Sequence, residues 1–454
     1  MSDCFDFAER KFHLECSSLQ FERQGQQPLK FWGPGHISQT GDGQLEYVAH
    51  VDAEVAQRIK AIHKSAFSRP SGTILKDEDY FKLEITSYPG PSWAGMVAEP
   101  NLRTGLRGPG IVSGSVHEVR SEYQLPGEVL GDYAFLFLPN CIDFPVNSTT
   151  QTLILRNQIE SNKTSARDCA AFKIGQEDFL IYNNGQHTEI ECTLEKDSIE
   201  INRHLRIREA LEFALAQLII PCAFELISGN KKTTILRSSV FGPEWKNKQD
   251  PPLRFDNVPL RPEVYSIVES YYRAFLDEHG EESHQISAGV FSLIKTARGP
   301  LELQTLAASV AAETLIEASF PNIVPRNDTF RPEVKNFAAA LDQNSLSQTF
   351  YSRLNGCLDS LLETRNSDLL REFTRRYSLE QRVFESWRHL RNKSAHGGLV
   401  STSKFDETFR KLCDVHHLCY SIVLAFIGYK GPRTNYAQSG FPIENWNPNV
   451  ASDR

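Results

Sequence analysis

A chain of 454 residues has room for about three domains, and a hydrophobic content of 40% is enough to build real cores, which excludes a disordered protein. A net charge of −8 excludes a global positive field that would draw the chain onto nucleic acid or anionic lipid, so any such contact needs a local patch. Nine cysteines, an odd number at low density, exclude a disulfide framework and imply a reducing compartment.

The opening residues 1–16 carry acids where a signal peptide needs a basic and then an apolar run. The longest apolar stretches, such as Leu215–Phe224, are too short to span a bilayer. The expectation is a cytoplasmic protein without membrane contact. Strand signals follow in chain order. Phe12, Leu14 and Cys16 alternate with polar residues, and Val112, Val116 and Val119 sit among Gly and Ser. The run from Tyr133 to Leu138 is continuously apolar and stops at Pro139-Asn140. Phe179–Tyr182 and Thr188–Leu194 flank Asn183-Asn184-Gly185, the signal of a tight hairpin. Gly33-Pro34-Gly35, Pro89-Gly90-Pro91 and Gly108-Pro109-Gly110 read as turns between strands. Many short strands with such punctuation predict a β-sandwich or open barrel over 1–203.

The period then changes. Leu205, Leu211, Leu215 and Leu218 predict an amphipathic helix, ended or kinked by Pro221, that packs across the β-domain or links two halves. The polar, proline-rich stretch 241–252 reads as a linker, so 204–256 is expected as helix and linker. Beyond it, helical spacing covers 262–279, 301–320, 332–342, 346–363, 366–376, 379–395 and 405–427. In the last of these, Phe405, Phe409, Leu412, His416, Cys419, Val423 and Phe426 share one broad face. The fold class is therefore α+β, a β-rich domain followed by an all-α domain over 257–454.

The stretch 378–398 carries the chemistry. Ser378 and Gln381 have capping-box spacing, Val383, Phe384, Trp387 and Leu390 form an apolar stripe, and Gly397-Gly398 supplies a stop. Arg391 and His396 would stand about 140° apart on an ideal helix, so they converge only if the helix ends or bends before His396. Across 365–411 eleven cations face six acids, the local patch that an acidic chain needs for RNA. The Cys413, His416, His417 and Cys419 cluster has metal-like composition, but Cys413 and Cys419 lie about 240° apart around a helix, and no paired C-x2-C exists. Core packing is the better reading, and neither a metal nor a cofactor is expected. Trp32, Trp93 and Trp245 could line a ligand surface in the β-half but read first as packing.

The spacing Arg391-Asn392-(three residues)-His396 resembles the Arg-polar-x3-His signature of HEPN-domain ribonucleases, closest to the ApeA-like branch of bacterial defence and toxin proteins. The segment Leu306–Glu317 looks like the family's earlier helix, with Glu313 at the position of its acidic residue, and 426–431 resembles the aromatic tail after the last helix. The resemblance covers roughly 260–450. It implies a HEPN-like helical bundle and a metal-independent endoribonuclease acting in antiphage defence or growth arrest. RNA, with tRNA among the candidates, would be cut to leave a 2′,3′-cyclic phosphate. His396 would be the acid–base group and Arg391 the phosphate clamp, with Asn392 orienting either and Glu313 holding Arg391. One imidazole hardly serves as base and acid at once, so a homodimer through the C-terminal helices is expected. The β-rich domain would sense a trigger and restrain the nuclease, so a fragment from about residue 255 onward would be the more active form. The rival reading is a non-catalytic HEPN-like module that dimerises or binds RNA or nucleotides.

Overall fold

The computed structural model describes residues 2–448, apart from 24–28, 67–75, 77–79, 89, 99–100, 105–107, 128, 157–158, 200–201, 239–247, 277–282, 325–330, 341–346, 363–364 and 396–401. The protein is mixed α+β, β-rich in its N-terminal region and helical beyond. It forms two compact units, Met1–Leu205 with Ile219–Trp245, and Arg206–Leu218 with Lys246–Arg454.

In the first unit a short helix α1 (Ser2–Ala8) precedes β1 (His13–Arg23), β2 (Leu29–Gln39) and β3 (Leu45–Val51). Helix α2 (Ala53–Ala66) follows, started by Asp52, whose carboxylate accepts from the Val55 N–H at 2.8 Å. Next come β4 (Phe81–Ser87), β5 (Ser92–Val97), β6 (Asn101–Thr104) and β7 (Gly110–Gln124). Strands β1, β2, β3, β7, β5 and β4 pair in a closed antiparallel ring. Alternate residues point inward, among them Phe21, Phe31, Tyr47, Leu83 and Val112, and they fill the barrel. The barrel is thus closed, not open, and there is no simple sandwich. Residues 110–116 of β7 pair with β3 and 118–124 with β14, so one long strand closes the barrel and carries the sheet onward.

That continuation runs β14-β13-β8-β12-β11-β10-β9. Its strands are β8 (Asp132–Leu138), β9 (Ser148–Arg156), β10 (Ile159–Ile174), β11 (Glu177–Asn183), β12 (Thr188–Leu194), β13 (Ala223–Ser228) and β14 (Lys231–Arg237). Two glycine signals behave differently from expectation. Gly33-Pro34-Gly35 lies inside β2 rather than at a turn. A Cβ on Gly33 would sit 1.8 Å from the His50 carbonyl oxygen, and one on Gly35 would sit 1.9 Å from that of Val48. These glycines let β2 approach β3 closely, which a small barrel requires. The β11–β12 hairpin has a four-residue loop, since Asn183 pairs with Thr188. Only Gly185 takes a positive φ there, while the Asn184 side chain accepts from the N–H groups of Gln186 and His187 at 2.9 Å each.

The second unit contains α3 (Arg203–Leu215) from residue 206 onward, α4 (Arg261–Ala274), α5 (Gln285–Thr296), α6 (Leu301–Ser319), α7 (Arg331–Ala340), α8 (Gln348–Leu362), α9 (Asn366–Arg376), α10 (Gln381–Ala395) and α11 (Phe405–Phe426). A hairpin of β15 (Gly431–Thr434) and β16 (Ile443–Trp446) follows. The stretch expected as helix and linker therefore splits: 206–218 joins the helices, β13 and β14 belong to the sheet, and 241–247 lies outside the described residues. Helix α3 ends at Ala216, which takes φ 46°, well before Pro221. It has no solvent-facing polar side of the usual kind, because Arg206, Glu209 and Glu212 are buried along with Ile207, Ala210, Leu211, Phe213, Ala214 and Leu215. The Phe213 ring meets Tyr271 of α4 at 5.6 Å and Tyr420 of α11 at 6.1 Å.

Ser378 closes α9 rather than opening α10. It adopts φ 54°, its N–H donates to the Arg375 carbonyl, and the Leu379 N–H donates to Thr374 at 2.9 Å, which together form a Schellman stop. Arg433 ties the hairpin to α11. It stacks 3.7 Å over Trp446, pairs with Glu444 and donates to Ser421 Oγ at 2.7 Å. No helix among the described residues is long and apolar enough to cross a membrane.

Candidate functional site

Helix α10 buries Val383, Phe384, Trp387 and Leu390 at the expected spacing. The Trp387 indole donates to the Ser309 carbonyl of α6 at 3.2 Å, and Cys419 Sγ of α11 donates to the Ala308 carbonyl. One turn further along both α6 and α10, Arg391 Nε donates to Glu313 Oε1 at 2.5 Å. Contacts advancing by four on both helices show that the two run parallel there, and this parallel course brings the acid to the arginine. Glu313 is 21% exposed and Arg391 38%, so the pair borders solvent. Among the described residues the terminal guanidinium nitrogens of Arg391 have no hydrogen-bond partner. A guanidinium fixed through Nε keeps its outer edge available for a phosphate.

Asn392 is turned elsewhere. It is exposed and lines a cavity of about 340 Å³ with His389, Lys393, Lys404, Glu407 and Thr408. The structure therefore brings Glu313 to Arg391 and places Asn392 on a different face of α10. His396 and the Gly397-Gly398 stop lie outside the described residues. Helix α10 runs through Ala395. His389 escaped the sequence reading, although it sits four residues before Lys393, the spacing of neighbours on one helix face. Partial burial, then the Lys411 ammonium, holds its imidazole below the usual range; Lys393 and Lys404 act in the same sense and Glu407 against it.

The Cys413–Cys419 cluster sits in the core, and no group of three or more His, Cys, Asp or Glu side chains among the described residues is placed to hold a metal. Burial pushes His416 down to about 4, and burial with the nearby Arg433 charge pushes His417 down to about 3. Gln249 Nε2 donates to His416 Nδ1 at 3.0 Å. Unfolded imidazoles take up a proton near pH 6.5, so below that pH the unfolded chain binds more protons than the fold. Their contribution to stability is intact above about pH 6.5 and is lost as pH falls toward the folded values. Asp414, raised by burial, acts in the opposite sense. Urea unfolding should show a lower midpoint near pH 5 than near pH 7.5, and His416→Gln should reduce the difference. Equal midpoints would contradict this account.

Of the three tryptophans considered as a ligand surface, Trp93 is buried in the barrel, Trp32 is exposed on β2, and Trp245 lies outside the described residues. Comparison with protein-family models, with characterised proteins and with solved structures finds no match to this chain.

Proposed function

We propose that the protein is a metal-independent endoribonuclease of HEPN type, with its helical unit as the nuclease and its β-rich unit as a sensor. The observation that supports it most is the Glu313–Arg391 pair, because it holds in place the half-exposed guanidinium that supplies the arginine of the Arg391-Asn392-(three residues)-His396 motif. In this reaction the 2′-hydroxyl loses its proton to an imidazole and its oxygen attacks the adjacent phosphorus. Arg391 stabilises the negative phosphorane, the bond to the 5′-oxygen breaks, and that oxygen takes a proton. The products are a 2′,3′-cyclic phosphate and a 5′-hydroxyl. His396 is assigned one proton transfer, and a second copy of the chain supplies the other imidazole, so the working form is a homodimer through the helical unit. Glu313 is a positioning residue that acts through Arg391. The role inferred is antiphage defence or growth arrest, in the cytoplasm. The test is RNA cleavage in EDTA by the intact chain and by its His396→Ala variant. Light scattering at micromolar concentration should give the mass of a dimer; a fully active monomer would remove the need for a second copy.

A further inference from the structure

Two features meet at the N-terminal end of α11. The first is the cavity beneath Asn392. Lys393 of α10 and Lys404 of the turn Thr402–Lys404 line it, and neither forms an ion pair among the described residues. Glu407, the one acid in its lining, is already paired with Lys411 at 2.6 Å. The second is a pair of aromatic rings that the periodicity assigns to the buried face of α11. Leu412, His416, Cys419 and Val423 on that face are buried, yet Phe405 is 49% exposed and Phe409 47%. Their rings lie parallel, 2° apart in plane with centroids at 6.4 Å. Phe405 and Thr408 are three residues apart, so rings and cavity occupy adjoining helix faces.

Unpaired cations beside exposed rings are the two components of single-strand recognition. The backbone is held by charge, and bases stack on π-faces. We propose that this end of α11 is a single-stranded RNA subsite, in which Lys393 and Lys404 each bind a backbone phosphate and Phe409, backed by Phe405, stacks a neighbouring base. His389 and Asn392 supply uncharged hydrogen-bonding groups inside the same cavity. The substrate class rests on the ribonuclease reading, while the placement rests on the cavity and the rings. The strand would reach the cleavage centre from this side, since Asn392 lies next to Arg391 in the chain. A second copy of the chain fits less well here, because a two-fold contact would gather unpaired lysines from both copies in one place.

The experiment uses the full chain and a fluorescent 2′-O-methyl oligouridine of about twelve nucleotides, within the span of single-strand sites. This probe cannot be cut through its 2′-oxygen. Replacing both lysines, Lys393→Gln with Lys404→Gln, should weaken binding about tenfold near 0.1 M salt and reduce the log–log salt slope by about 1.4, or 0.7 per lost phosphate contact. Lys→Arg at both positions should restore binding. Phe409→Ser should weaken binding about tenfold and leave the slope unchanged. Lys30→Gln, on β2 of the other unit, serves as the control. An intact chain that does not bind the probe, or unchanged affinity and slope in both variants, overturns the subsite. So does Phe409→Ser dissociating a dimer while binding RNA normally, which would make this face an interface between copies. No RNA cleavage by the intact chain would defeat the ribonuclease reading, and cleavage retained by His396→Ala would defeat its HEPN-type assignment; both leave these binding shifts standing.

Discussion

Replacing His396 or Arg391 by alanine should each lower RNA cleavage by at least about 10²-fold while the fold is retained. The imidazole is asked to supply proton transfer, and the guanidinium to supply charge stabilisation of the phosphorane. Arg391→Lys should not rescue, because an ammonium cannot hold Glu313 with one edge and two phosphate oxygens with the other. Arg391 and Glu313 are both partly exposed, so their loss should shift the unfolding midpoint little. Glu313→Gln should lose less activity than Arg391→Ala, since it loosens the guanidinium without removing it. Cleavage should continue in EDTA. Wild-type rates in both alanine variants, or complete loss with the chelator, would refute the assignment.

A fragment beginning near residue 255 should fail to fold as the native helical unit. Such a fragment lacks α3, whose Ile207, Leu211, Phe213 and Leu215 are fully buried. At about 1.5–3 kcal/mol for each large apolar side chain, their loss removes roughly 6–12 kcal/mol, comparable with the whole net stability of a domain, about 5–15 kcal/mol. In the intact chain Phe213→Ala alone should cost about 3–5 kcal/mol in urea unfolding. A cooperative, native-like melt of the short fragment would show α3 to be dispensable. The consequence bears on regulation. An inert fragment from 255 would report a broken core, not a restraint lifted by removing the β-rich unit. A test of restraint has to retain 206–218.

Periodicity located most of the helical unit. The predicted helix 366–376 matches α9, and 301–320 differs from α6 by one residue. Helix α5 was missed because Ser, Gly and β-branched residues weaken its propensity. It forms through close packing, since a Cβ on Gly289 would lie 2.9 Å from Leu315 of α6. The glycines of β2 were misread for a related reason. A close backbone approach and a turn ask for the same residue, and one chain cannot distinguish them. Ser378 looked like a cap because its neighbours have cap spacing, while its positive φ is visible only in three dimensions. Within the site, the resemblance implied that Glu313 holds Arg391, and the two are paired. Their pairing depends on α6 and α10 running parallel, a tertiary fact. His389 went unnoticed because an imidazole four residues from a lysine on an open face looks like ordinary solvated surface.

The place of β13 and β14 constrains how the chain matures on the ribosome. All six barrel strands lie within 13–124, so the ring can close early and from one continuous stretch. The adjoining sheet cannot. Its link to β7 is β14, whose last residue is Arg237, although its outer strands have emerged by Leu194. Between them emerges α3, whose packing partners Tyr271 and Tyr420 are translated later still. The apolar side chains of α3 thus wait, incompletely covered, for almost half the chain. Exposure of that kind invites chaperones and aggregation. It also means that the helical unit is complete only after the β-rich unit has been made, so the proposed nuclease is never finished before its proposed sensor.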